Sequence, residues 1–107
     1  ADEVLNNTIF DAFKAHCFHR MLPMELSHLL PENGFGSITR YNLSYVEMAL
    51  HAGMAGFYLS KLMALFATTQ GVSKTDAELW LSQLEKADAE GRFGFVNFPV
   101  LTMATAI

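Results

Sequence analysis

Cysteine is almost absent: Cys17 stands alone in 107 residues. No disulfide can close within the chain and no cysteine-rich metal site can be built, so an intracellular, cytoplasmic location is expected. Cys17 itself reads either as a small buried hydrophobe or as a reactive thiol. Charge is also scarce. Only 17% of residues are charged, the net charge is −4, and no basic run occurs. This argues against a dedicated nucleic-acid surface and leaves a small-molecule substrate open. No glycine-rich phosphate loop is present, because "GFGS" lacks the GK[ST] ending and precedes a strand rather than a helix. No serine sits in a nucleophile elbow. The chain lacks internal repeats and low-complexity linkers, and "ADEVLNN" has neither signal-peptide nor transit-peptide character. It opens without Met, so it is expected to be processed or cut from something longer. No uninterrupted apolar run is long enough for a membrane span. The most apolar stretch, Val46 to Ala67, is broken by Glu47, His51 and Lys61, and it reads as a buried core helix.

What is present is apolar side chain, 51% of the total. That fraction argues against disorder and, with the length, for a single domain over 1–107. Four helical stretches and two extended ones are predicted. The first helix covers about Asp2 to Cys17, with Leu5, Ile9, Ala12, Phe13, His16 and Cys17 on one face. Asp2 and Glu3 at its start, and His19 and Arg20 past its end, suit the helix dipole. A short second helix follows Leu22, with Pro23 in its first turn and a Leu22, Leu26, Leu29, Leu30 stripe. It is expected to end or kink near Leu30 because of Pro31, and Gly34 supplies a left-handed cap.

"FGSITRYNLSY" predicts the first strand, with Phe35, Tyr41, Leu43 and Tyr45 on one face and Arg40, Asn42 and Ser44 on the other. The third helix, near Ala52 to Thr69, presents a broad apolar face of Met54, Phe57, Tyr58, Leu62, Leu65 and Phe66, widened by Leu59 and Met63. That face is expected to be covered. Within it, "GMAG" places Gly53 and Gly56 three apart, which is not a GxxxG motif but suits close backbone approach or a soft helix start. The fourth helix opens on "SKTD", a capping-box pattern with Ser73 as cap, turns Trp80, Leu81, Leu84 and Ala87 inward, and ends at Gly91.

The chain closes on "GRFGFVNFPVLTMATAI", with no charged side chain after Arg92. A straight strand here turns Phe93, Phe95, Leu101 and Met103 one way and Val96, Phe98, Val100 and Ala104 the other. A strand apolar on both faces belongs inside a sheet covered on both sides. Pro99 removes one ladder donor and suits a bulge.

Two groups of residues offer chemistry. His16, His19 and His28 resemble a metal cluster at first, but no carboxylate or cysteine completes a ligand set. His16 and His19 remain as boundary residues that cap and pack, or as substrate-facing general bases. The Met and aromatic side chains between residues 48 and 66 suit core packing, or a flexible apolar wall for a bulky substrate. In the second case Tyr45, His51, Met54 and Tyr58 are its polar-tipped or mobile members.

Taken in order, these elements resemble the C-terminal portion of class I S-adenosylmethionine-dependent methyltransferases of the ubiquinone/menaquinone-biosynthesis kind. The residues that carry the resemblance are Leu22, Pro23, Leu26, Leu29, Leu30, Gly34 and Phe35, then Trp80, Leu84, Gly91, Phe93 and Phe95. The resemblance implies an α/β fragment in which the last strand lies antiparallel between two others of a Rossmann-like sheet. It implies that S-adenosylmethionine is bound by an N-terminal half that this chain lacks, and that the chain is inactive alone. It implies a substrate-cap and sheet-completing role toward a small apolar substrate, with either that half or a second copy as partner. The alternative is a standalone, mostly helical protein that homodimerises or binds an apolar ligand.

Overall fold

The computed structural model describes residues 2–17 and 21–107, and it forms two compact units. Among the described residues the class is α/β, with four α-helices and two small antiparallel sheets. The elements are α1 (Glu3–Phe13) with a 3₁₀ turn at Lys14–His16, α2 (Leu22–Glu32), β1 (Phe35–Asn42), β2 (Tyr45–Glu47), α3 (Ala55–Thr69), α4 (Lys74–Ala89), β3 (Phe95–Asn97) and β4 (Val100–Ala106). Strand β1 pairs with β4, and β2 with β3.

The helical unit holds residues 2–17 and 46–95. Its core is Leu5, Ile9, Met63, Ala64, Ala67, Ala77 and Trp80, contributed by α1, α3 and α4. Each helix has a chemical start. Asp2 accepts a hydrogen bond from the Leu5 N–H at 2.7 Å, capping α1, and Ser73 accepts from the Asp76 N–H at 3.1 Å, capping α4. Such side-chain oxygens satisfy backbone donors that the first helical turn leaves free. Helix α3 has a remote cap. Both carboxylate oxygens of Glu47, a residue only 5% exposed, lie 3.2 Å from the Gly56 nitrogen. Helices α1 and α4 are tied at two heights. Gln83 and Asp2 exchange hydrogen bonds at 2.8 and 3.2 Å, and the Trp80 indole donates to Asn6 Oδ1 at 2.9 Å.

The buried stripe of α3 is not the broad aromatic and Leu face expected from hydropathy. It is Gly56, Ser60, Met63, Ala64 and Ala67, of which Met63 alone belongs to the expected face. Tyr58, Leu62 and Leu65 point outward, and Leu65 is 67% exposed. The physical reason is close approach: small side chains let neighbouring backbones come near, and the bulky ones are left to the other side. Gly56 shows this directly, since a Cβ there would meet the Phe95 ring at 3.2 Å.

The second unit holds residues 21–45 and 96–107. In it α2 packs on the β1–β4 ribbon. Helix α2 runs through Pro31 to Glu32 rather than ending near Leu30. Its last turn tightens, with Asn33 N bonded to Leu30 O at 3.0 Å and Gly34 N to Pro31 O at 3.4 Å, while Asn33 Nδ2 donates to Leu29 O at 2.7 Å. These bonds satisfy carbonyls of the last turn that have no α-helical donor. Gly34, at φ +86°, then turns the chain into β1, as the left-handed cap expected there.

Candidate functional site

The register of the ribbon decides which side chains are available. Thr39 stands opposite Met103, Arg40 opposite Thr102, Tyr41 opposite Leu101, and Asn42 opposite Val100. Directly opposed residues share a face. One face therefore carries Thr39, Tyr41, Leu101 and Met103. The other carries Arg40, Asn42, Val100, Thr102 and Ala104. Ile38, Thr102 and Ala104 are half-buried. Arg40, Asn42 and Val100 line a groove of about 380 Å³ with Pro23 and Met24 of α2, so this second face is the one α2 covers. The first face is open, with Leu101 45% and Met103 53% exposed.

Two expectations are corrected here. Phe35 and Tyr41 do not share a face. A register shift between Gly36 and Thr39, with Ser37 at φ +53°, puts Phe35 opposite Ala106 and so on the α2 side. A bulge inserts one residue and so reverses every side chain beyond it. The closing segment is also not one strand. Phe93 precedes β3 and is buried in the helical unit, and Phe98–Pro99 separates β3 from β4. Pro99 sits where the ladder ends, its carbonyl accepting from Leu43 N at 2.9 Å.

That bond fixes the phase of the ladder. In an antiparallel pair the bonded positions alternate. With Leu43 bonded to Pro99, the amides of Leu101 and Met103 turn toward β1. Those of Val100, Thr102 and Ala104 turn to the opposite edge of β4. Among the described residues β4 has one strand neighbour, β1. One antiparallel neighbour of the closing strand, as the resemblance implies, is present in β1. A second neighbour, which a mid-sheet strand requires, does not come from the described residues. The described residues form two two-stranded sheets, and no Rossmann-like sheet is formed among them.

The sequence-predicted chemical residues are spread out. His16 lies at the end of the 3₁₀ turn, stacked on Phe13 at 3.9 Å between ring centroids and set edge-on to Phe66 at 6.0 Å. Its Nδ1 is 2.5 Å from the Phe13 carbonyl oxygen. This is a packed, helix-ending arrangement. His19 lies outside the described residues. His51 is exposed in the turn before α3, its carbonyl accepting from Met54 N at 3.2 Å. Met54 is the N-cap residue of α3, and Tyr58 follows one turn later, edge-on to Phe57 at 5.3 Å. Tyr45 belongs to the ribbon unit, where Asn97 Nδ2 donates to its hydroxyl at 2.9 Å. Among the described residues no group of His, Cys, Asp and Glu side chains could hold a metal ion, and no helix is long and apolar enough to cross a membrane. Cys17 is half-buried and free.

Sequence reasoning did not find the cap role of Glu47. Its signal was slight: one carboxylate in an apolar stretch, nine residues ahead of the donor it meets. No protein-family model, no curated protein and no solved structure matches this chain.

Proposed function

We propose that this chain is the sheet-completing, substrate-covering C-terminal part of a class I S-adenosylmethionine-dependent methyltransferase, working as one piece of a larger enzyme. One observation carries the reading: β4, rich in apolar side chains on both faces, is bonded along one edge to β1, and among the described residues its other row of amides has no strand partner. A strand left so is a template for another strand. The N-terminal half of the enzyme supplies that strand and the cofactor site. This chain has no glycine-rich loop and no ribose-holding carboxylate in such a setting, so no step involving the cofactor is assigned to its residues. Its part is to exclude water and hold an apolar substrate, which raises rate through positioning. His16 and His19 are the candidates for taking a proton from the acceptor, and Tyr45, His51, Met54 and Tyr58 for the substrate wall.

Calorimetric titration of S-adenosylmethionine tests this. The chain alone should give no binding, and the chain together with an N-terminal half carrying the glycine-rich loop should give saturable binding. Saturation with the chain alone, or none with the pair, contradicts the reading.

A second reading is homodimerisation. It is favoured by the outward stripe of Tyr58, Leu62 and Leu65 on α3, which a two-fold contact would cover. A stable dimer in light scattering that excludes the N-terminal half would select it.

A further inference from the structure

The helical unit contains a cavity of about 130 Å³ that none of the roles above uses. Its floor is buried: Trp80, Met63, Phe93 and Ser60 are each less than a tenth exposed. Phe10 and Gly94 stand at its exposed mouth. Size limits the occupant. Pockets for drug-sized molecules run from about 300 Å³ upward, whereas an apolar cavity of about 150 Å³ accepts a single benzene ring.

Two polar groups in the lining have capacity left. The Ser60 hydroxyl donates to the Phe57 carbonyl at 3.2 Å, which leaves its lone pairs free to accept. Asn6 uses its Oδ1 to accept from the Trp80 indole, and among the described residues its Nδ2 has no hydrogen-bond partner. The lining therefore offers one acceptor and one donor in an otherwise aromatic and aliphatic enclosure. Water would gain few partners there, and a bare hydrocarbon would leave both polar groups unmatched.

We infer that this cavity is a binding site for a single-ring aromatic molecule carrying one hydroxyl group. The ring packs against Trp80, Phe93 and Met63. The hydroxyl donates to Ser60 and accepts from Asn6. The site lies wholly within the helical unit, so it does not depend on the methyltransferase reading and can be tested on the chain alone.

Phenol and toluene, which are alike in size and differ in the hydroxyl, are the probes. Trp80 is the single tryptophan, so its fluorescence reports on the site directly, and calorimetry gives an independent affinity. Phenol should bind saturably and about thirty-fold more tightly than toluene, about five-fold for each of its two net hydrogen bonds. Ser60→Ala should weaken phenol about five-fold, to an affinity still above that of toluene, while leaving toluene unchanged. Leu84→Phe, which fills the cavity from α4, should abolish binding of both, with far-UV circular dichroism confirming that the variant is folded. Should Leu84→Phe fail to fold, Gly56→Ala, which crowds the opposite wall, takes its place. Absence of saturation by phenol, equal affinity for the two probes, or unchanged binding in the filled variant overturns the proposal.

Discussion

Glu47 and Gly56 are joined across the start of α3: the buried carboxylate meets the second helical N–H with both oxygens at 3.2 Å. A carboxylate at this place satisfies an orphan donor and faces the positive end of the helix dipole. Glu47→Ala removes a charge-assisted hydrogen bond and is expected to lower stability by about 2 kcal/mol. Glu47→Gln keeps an acceptor without the charge, and about half that loss is expected. Urea denaturation followed by Trp80 fluorescence measures both.

Asp2 gives the helical unit a pH-dependent contribution. The Leu5 backbone N–H, and after it the Gln83 side chain, hold the Asp2 carboxyl below its ordinary value of 3.8. A folded-state value lower than the unfolded one stabilises the protein above the unfolded value, and the stabilisation is lost as pH falls through the folded value. Asp2→Asn keeps the cap oxygen but cannot titrate. The Tm gap between the two proteins should be widest near pH 6 and should close below about pH 4. A gap constant from pH 6 to pH 2 would show that the charge has no part.

Thr102 lies on the covered face of the ribbon, and its buried Oγ1 has no hydrogen-bond partner among the described residues. An unmatched buried hydroxyl costs free energy that an apolar group of the same shape does not. Thr102→Val is expected to raise stability by about 1 kcal/mol, read as an upward shift of the denaturation midpoint. A loss of stability would mean that the hydroxyl has a partner in solution.

Leu101 and Met103 stand on the open face, so charge there should spare the fold and harm association. Leu101→Lys and Met103→Glu are expected to change stability by less than about 0.5 kcal/mol. Each should weaken binding to the N-terminal half at least ten-fold, since covering such a side chain is worth about 1.5–3 kcal/mol. Ala104→Lys, on the α2 side, should unfold the ribbon unit instead. Light scattering and circular dichroism separate the two outcomes.

Much of the fold was legible because it is written in local chemistry. Ser73, Asp2, Gly34 and Gly91 mark ends through caps and left-handed turns, which depend on one residue and its neighbours. That β1 and the closing segment are strands was legible because both are rich in strand-forming residues, while an antiparallel neighbour for the closing strand came only from the family resemblance. The inward face of α3 was not. Hydropathy ranks Leu62 and Leu65 above Ala64 and Ala67, but steric approach between helices selects the small side chains. The bulge at Ser37 was equally hidden, as a single positive φ in a serine leaves no pattern. Tyr45, His51, Met54 and Tyr58 were grouped by type along the chain, and Tyr45 belongs to a different unit from the other three.

Amide hydrogen exchange along β4 is the most direct measurement. In the chain alone, Leu101 and Met103 should exchange slowly and Val100, Thr102 and Ala104 quickly, because only the first pair is bonded to β1. Adding the N-terminal half should slow Val100, Thr102 and Ala104 to the rate of their neighbours. If those three amides keep their fast exchange in the complex, no strand has docked there and the sheet-completing role is wrong.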